Sequence, residues 1–289
     1  MIIVRLTGGL GNQMFQYAAA RRLAHVNNTA LKLDISHFES NLARTYALDD
    51  FNIRATIAPP EEVAQFNGRE KIRRFKQIAH SLRLHPDWKW VTQKSGYFDP
   101  TILMLTGNVY LDGAWQSEQY FRDIVAILRA ELTVRNEPTA LNRTVCEQIR
   151  QVEAVSLHIR RGDYVTNSNT LRMHGLCSIE YYHSALRLLV EKIPSPQFFV
   201  FSDDPDWARE YLKLDYPTTF ISHNGADKHY EDLRLMSQCR HHIIANSSFS
   251  WWGAWLCSYQ NKIVFAPRQW FQEYEYDIHD IIPAEWQLV

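Results

Sequence analysis

A strand that ends in two arginines and an aspartate can do anion chemistry, and one stretch of this chain reads that way: Ser156-Leu157-His158-Ile159-Arg160-Arg161-Gly162-Asp163-Tyr164. Side chains alternate along a strand, so Val155, Leu157 and Ile159 share one face while His158 and Arg160 share the other. Fixed positive charge then stands at the carboxyl edge of the sheet, where open α/β folds bind ligands. The guanidinium fork suits a pyrophosphate, and a departing diphosphate needs that charge in its transition state. Asp163 is a candidate base for an attacking hydroxyl or a group that holds the arginines in place; the pattern leaves both open.

Three further blocks carry candidate chemistry. Ala245-Asn246-Ser247-Ser248-Phe249 joins a buried strand to an aromatic helix. Small hydroxylated residues at such a junction make a phosphate cradle from Ser247, Ser248 and the amide of Phe249. Phe201-Ser202-Asp203-Asp204-Pro205-Asp206 ends one strand and opens a helix. Asp203, at the strand's carboxyl edge, has the two acceptor oxygens that would select a guanine through its N1 and N2 groups. Asp204-Pro205-Asp206 spells a metal-binding DxD, yet Pro205 suits a first helical turn and its neighbours suit capping positions, so no metal is expected. Thr7-Gly8-Gly9-Leu10-Gly11-Asn12-Gln13 lies between the first strand and the first helix. Gly11 permits close backbone approach, and Asn12 with Gln13 suits hydroxyl recognition. The glycine spacing is not that of the dinucleotide fingerprint.

The elements that must position these groups alternate. Ile2–Leu6, Ala30–Asp34, Asn108–Leu111, Val155–Arg160, Gln197–Ser202, His242–Asn246 and Lys262–Ala266 read as strands. Helical spacing links Phe15 to Val26 and Ile179 to Val190, the second helix with Ser178 as N-cap. This alternation predicts an α/β fold with mostly parallel sheets. A polar stretch around Asn136-Glu137-Pro138 predicts two domains, 1–145 and 146–289. The basic run Arg69–Lys76 reads as a solvated helix face, with a surface resting on anionic lipid as the lesser reading. Adjacent His241 and His242 face opposite ways on a strand and do not suit one metal ion.

Composition narrows the class. With 289 residues, a net charge of -1 and 46% hydrophobic residues, the chain is a globular enzyme-sized protein and offers no basic field for nucleic acid. Four scattered cysteines without CxxC spacing suit a reducing compartment. No secretory leader and no apolar run of about 18 residues is evident, so a cytoplasmic location is expected. Nine tryptophans leave two readings, core or sugar-stacking platform. The spacing of Trp251, Trp252 and Trp255 favours core.

These blocks, in this order, resemble the bacterial α-1,2-fucosyltransferases of glycosyltransferase family eleven, from Gly8 to about Trp270, with His158-x-Arg160-Arg161-x-Asp163-Tyr164 as the specific motif. More distantly the chain is similar to the α-1,6- and protein O-fucosyltransferases. The resemblance implies a GT-B-like fold, two Rossmann-like domains facing a cleft. It implies inverting, metal-independent transfer of fucose from GDP-fucose to the 2-hydroxyl of a terminal galactose on a surface glycan. On that pattern Arg160 binds the β-phosphate with Arg161 beside it, and His158 lies by the guanine that Asp203 reads. Ser247, Ser248 and Phe249 form the phosphate turn, Gly11 lines the donor site, and Asn12 lies near the reaction centre. The N-terminal domain takes the acceptor and the C-terminal domain the donor. Peripheral contact with a membrane's inner face, through a lipid-linked acceptor, stays open. The competing readings are a transferase of another nucleotide sugar, a non-catalytic glycan-binding protein, and an oxidoreductase that would use Asp34 to read a ribose.

Overall fold

The computed structural model describes residues 1–40, 44–64 and 88–289, so the basic run Arg69–Lys76 lies outside the described residues. The chain divides into two compact units, Met1–Glu131 and Leu132–Val289. The division precedes residue 145 because the Ala140–Gln151 helix packs Val145, Cys146 and Ile149 against Leu235 and Met236, well inside the second unit.

In the first unit β1 (Ile2–Arg5), β2 (Leu31–Asp34), β3 (Thr56–Ile57), β4 (Trp88–Thr92) and β5 (Asn108–Asp112) form one sheet in the order β3-β2-β1-β5-β4. All of its pairings are parallel. Ile2, Ile3 and Val4 are fully buried, as a central parallel strand covered on both faces requires. The chain leaves β1 through the glycine-rich turn and enters the Leu10–Val26 helix, with Gly9 at its N-cap. The next strand, β2, lies on one side of β1 and β5 on the other, so the glycine-rich turn stands where strand order reverses. Asp34 has a structural duty: it is 2% exposed and accepts hydrogen bonds from the Tyr110 hydroxyl and, at 2.9 Å, the Ser36 amide. A carboxylate so engaged is not a ribose reader.

The second unit holds β6 (Glu153–Ile159), β7 (Pro196–Ser202), β8 (Thr218–Ile221), β9 (His241–Ile243), β10 (Val264–Ala266) and β11 (Gln287–Leu288). Their order is β11-β10-β9-β6-β7-β8, again parallel throughout. Counted from β6, this is the 3-2-1-4-5-6 order of doubly wound nucleotide-binding sheets, and it reverses between β6 and β9. Val155, Leu157 and Ile159 join Phe198 and Val200 in a core under the Ile179–Val190 helix. Ala154, Phe199 and Phe201 face the other way, against the Ala140–Gln151 and His229–Gln238 helices. Ser178 caps the Ile179–Val190 helix through the Tyr181 amide at 3.3 Å, as its sequence position suggested. All four cysteines carry free thiols. Among the described residues no helix is long and apolar enough to cross a membrane.

Candidate active site

Arg160 emerges from the carboxyl end of β6, and the β6–β7 register pairs Ile159 with Ser202, which brings Asp203 alongside it. Arg160 Nη1 lies 2.7 Å from Asp203 Oδ2, and Nη2 donates to Asp163 Oδ1. The guanidinium rests 5.3 Å from the centre of the Tyr164 ring. Asp203 uses its other oxygen to accept the Arg161 amide at 2.8 Å. Glycine at 162 makes this possible, because a Cβ there would stand 2.5 Å from Asp203 Oδ2. Arg161 diverges from its neighbour. Its Nε is 3.1 Å from Asp204 Oδ2 and its guanidinium lies 3.9 Å over the Trp207 ring. Trp207 is a partner the sequence reading missed; its signal was the spacing from Asp204, one helical turn into the Pro205–Tyr211 helix.

Across the switch point, the chain leaves β9 through Ile244, Ala245 and Asn246, then enters the Ser248–Leu256 helix with Ser247 at its N-cap. The first-turn amides of a helix lack intrahelical acceptors and attract anions. Ser247, Ser248 and Phe249 thus stand at the N-terminal end of a nine-residue helix. Tyr164 ties the two sides together: its hydroxyl donates to the Asn246 carbonyl at 3.3 Å. Arg160, Arg161, Asp163, Asp203 and the Ser247 turn therefore belong to adjacent strand ends of one sheet.

His158 is 5% exposed on β6, its ring 5.7 Å from that of Phe249. Burial, and secondarily the charge of Arg160, lowers its pKa to about 3, so the imidazole stays neutral. Its Nδ1 is buried with no hydrogen-bond partner among the described residues. Asp204 accepts the Trp207 amide at 3.3 Å, and Pro205 occupies the first turn, so Asp204-Pro205-Asp206 is a helix start. Trp251, Trp252 and Trp255 are buried at 0%, 0% and 4% exposure, which makes them core and removes them as a sugar platform. His241 Nδ1 accepts the Ile263 amide at 3.1 Å, and Nε2 faces Glu153 at 3.5 Å.

In the first unit Gly11 and Asn12 fall in the opening turn of the Leu10–Val26 helix. Asn12 Oδ1 accepts Gln116 Nε2 at 2.9 Å, joining the loops that follow β1 and β5. Gln13 is committed to structure. Its Nε2 donates to the Gly8 and Thr45 carbonyls at 3.0 and 2.9 Å, and its Oε1 accepts the Ala47 amide at 2.9 Å.

Two units, each with one parallel sheet between helices, have the architecture of the GT-B fold class. The fold is similar to that of a mutant of Arabidopsis thaliana FUT1 in complex with GDP, with a TM-score of 0.51 at 11% identity over 91% of this chain and 69% of that one. It is also similar to NodZ alpha-1,6-fucosyltransferase co-crystallized with GDP, with a TM-score of 0.50 at 14% identity over 87% and 91%. The chain belongs to glycosyl transferase family 11, whose model matches residues 1–289. It is 36% identical to an alpha-1,2-colitosyltransferase of Escherichia coli, over 99% of this chain and 98% of the relative. It is 32% identical to the O-antigen biosynthesis glycosyltransferase WbnK of Escherichia coli, over 92% and 93%. A galactoside alpha-(1,2)-fucosyltransferase 1 of Aotus azarae is 25% identical over 86% of this chain and 63% of that protein.

Proposed function

We propose that this family 11 enzyme transfers L-fucose from GDP-fucose, with inversion and without a metal, to the 2-hydroxyl of a terminal galactose on a surface glycan of the O-antigen kind. The observation that carries the reading is Arg160 at the β6–β9 switch point, next to the N-terminus of the Ser248–Leu256 helix. A diphosphate there meets a guanidinium fork and helix amides together. As the C1–phosphate bond breaks, its electron pair leaves with GDP, and Arg160, Arg161 and the Ser247–Phe249 amides stabilise that charge. The acceptor oxygen bonds C1 from the opposite face as its proton passes to water on that side, while Asp163, paired with Arg160, holds the fork on the diphosphate. His158 and Phe249 line the nucleoside side, Asp203 accepts from the guanine edge, Gly11 lines the donor site, and Asn12 lies near the reaction centre. The relative named galactoside alpha-(1,2)-fucosyltransferase supports this sugar and linkage, and the O-antigen biosynthesis glycosyltransferase supports a surface glycan as acceptor.

A second donor is favoured by one observation, the 36% identity to a colitosyltransferase along nearly the whole chain. Colitose is L-fucose without its 3-hydroxyl, so both donors present the same diphosphate and guanine to this site. Purified protein incubated with GDP-fucose or GDP-colitose and a panel of β-galactosides separates the readings. GDP release with an α-1,2-linked fucosyl product is the expected result. Turnover with GDP-colitose alone would replace fucose by colitose. Glycan binding with no nucleotide turnover would indicate a non-catalytic protein.

A further inference from the structure

Beyond Tyr164 lies a feature the donor reading does not use. Tyr164 stacks on His174, with ring centres 4.8 Å apart and planes 13° from parallel. His174 walls a cavity of about 250 Å³ at the carboxyl ends of β9, β10 and β11, lined also by Cys177, Ser178, Arg268, Gln269 and Gln272. His174 Nδ1 is buried with no hydrogen-bond partner among the described residues. Among those residues Arg268, which is exposed, makes no ion pair. Gly175 has φ of +68°, and a Cβ on it would collide with the Gln272 amide, so glycine both allows the turn and admits Gln272 to the cavity wall. Asn246, one residue before the phosphate turn, also borders the cavity and holds its wall: its Nδ2 donates to the His174 carbonyl at 2.8 Å and its Oδ1 accepts the Cys177 thiol at 3.5 Å.

Planar amides, a guanidinium and a hydroxyl around a space of this size suit a neutral pyranose, whose ring of hydroxyls both donates and accepts. The reacting sugar must reach the diphosphate at Arg160, and the cavity lies beyond the stacked rings of Tyr164 and His174. We propose that this cavity is a subsite for the acceptor glycan, receiving the sugar next to the galactose that is fucosylated. It rests on the transferase reading above and gives the second unit a share in acceptor choice.

Gln272 and Gln269 are exposed and lie outside the donor machinery, so Gln272→Ala and the double variant Gln269→Ala/Gln272→Ala keep the fold, which circular dichroism checks. Initial rates are measured with GDP-fucose, or GDP-colitose if that is the donor used. The acceptors are methyl β-galactoside and a β-galactosyl-N-acetylhexosamine disaccharide. The disaccharide KM is expected to rise roughly five- to tenfold, the loss of one or two hydrogen bonds, while the methyl galactoside KM and the donor KM stay unchanged. An unchanged disaccharide KM overturns the subsite, and a raised donor KM assigns the cavity to the donor instead. Wild-type protein that transfers neither sugar to either acceptor overturns the transferase reading itself, and the subsite with it.

Discussion

Arg160 is held between Asp163 and Asp203, and that geometry fixes what its loss should do. Its charge matters most as the diphosphate departs, so Arg160→Ala should lower kcat by ~10²–10³-fold, more than it weakens GDP binding. Arg160→Lys should also be poor, because one ammonium cannot span two carboxylates and a phosphate as a planar fork does. A folded Arg160→Ala protein with near-normal kcat would remove the donor site from β6. Asp203 has a double load. Its oxygens already take Arg160 and the Arg161 amide, and a carboxylate's remaining lone pairs still suit the guanine edge. Asp203→Ala should therefore lower kcat and also blunt the preference for GDP over ADP, measured by titration calorimetry. Lost turnover with intact preference would leave Asp203 a positioning residue alone.

Elements differed in how openly the sequence declared them. The central strands β1, β6, β7 and β9 are buried on both faces, and the apolar runs in β1, in β7 and at Ile243–Ala245 after the histidines of β9 made them legible. Strands β3, β4, β8 and β11 went unread. Two of them, β3 and β11, have only two residues, β3 is exposed at a sheet edge, and β8 opens on two threonines. The Pro205–Tyr211 helix was legible from Asp204 and Pro205, and its cap uses the same Asp204 that a metal would need. Turnover should thus survive excess EDTA; a loss that Mn²⁺ or Mg²⁺ restores would contradict the helix-start reading. The Ser248–Leu256 helix has a cation at its far end, where Lys262 Nζ donates to the Ala254 and Cys257 carbonyls at 2.7 and 3.0 Å. Lys262→Met should lower stability by about 1–2 kcal/mol in urea unfolding while leaving the donor KM within twofold. A large rise in donor KM would mean that the helix N-terminus shifts when its C-terminus is released.

At the scale of the molecule, the fold class followed from alternation and the two-unit division from a polar stretch, but the place of the boundary did not. A polar stretch marked it near residue 145, whereas packing of the Ala140–Gln151 helix puts it after Glu131. Arg160 and Asp203 were legible as residues at the carboxyl edge of the sheet because each directly follows a strand. Their mutual ion pair was not, because it depends on which strands are neighbours. Long-range polar wiring of that kind also governs stability against pH. Asp232 on the His229–Gln238 helix accepts Asn224 Nδ2 at 2.8 Å, and Asn224 in turn pairs with Asn142 of the Ala140–Gln151 helix. Burial, and secondarily the neighbouring Glu231, raises the Asp232 pKa from 3.8 to about 6, against the opposing pull of the Asn224 hydrogen bond. A folded-state pKa raised above the unfolded value favours the fold when the group is protonated. This contribution is therefore full below about pH 4 and lost as pH rises through about 6. Asp232→Asn keeps an oxygen for Asn224 and removes the buried charge. Its Tm should exceed that of wild type by about 2–4 °C at pH 7.5, and the gap should close as pH falls toward 4. Equal melting temperatures across that whole range, read by calorimetry, would show that Asp232 ionises in the fold as easily as in the unfolded chain.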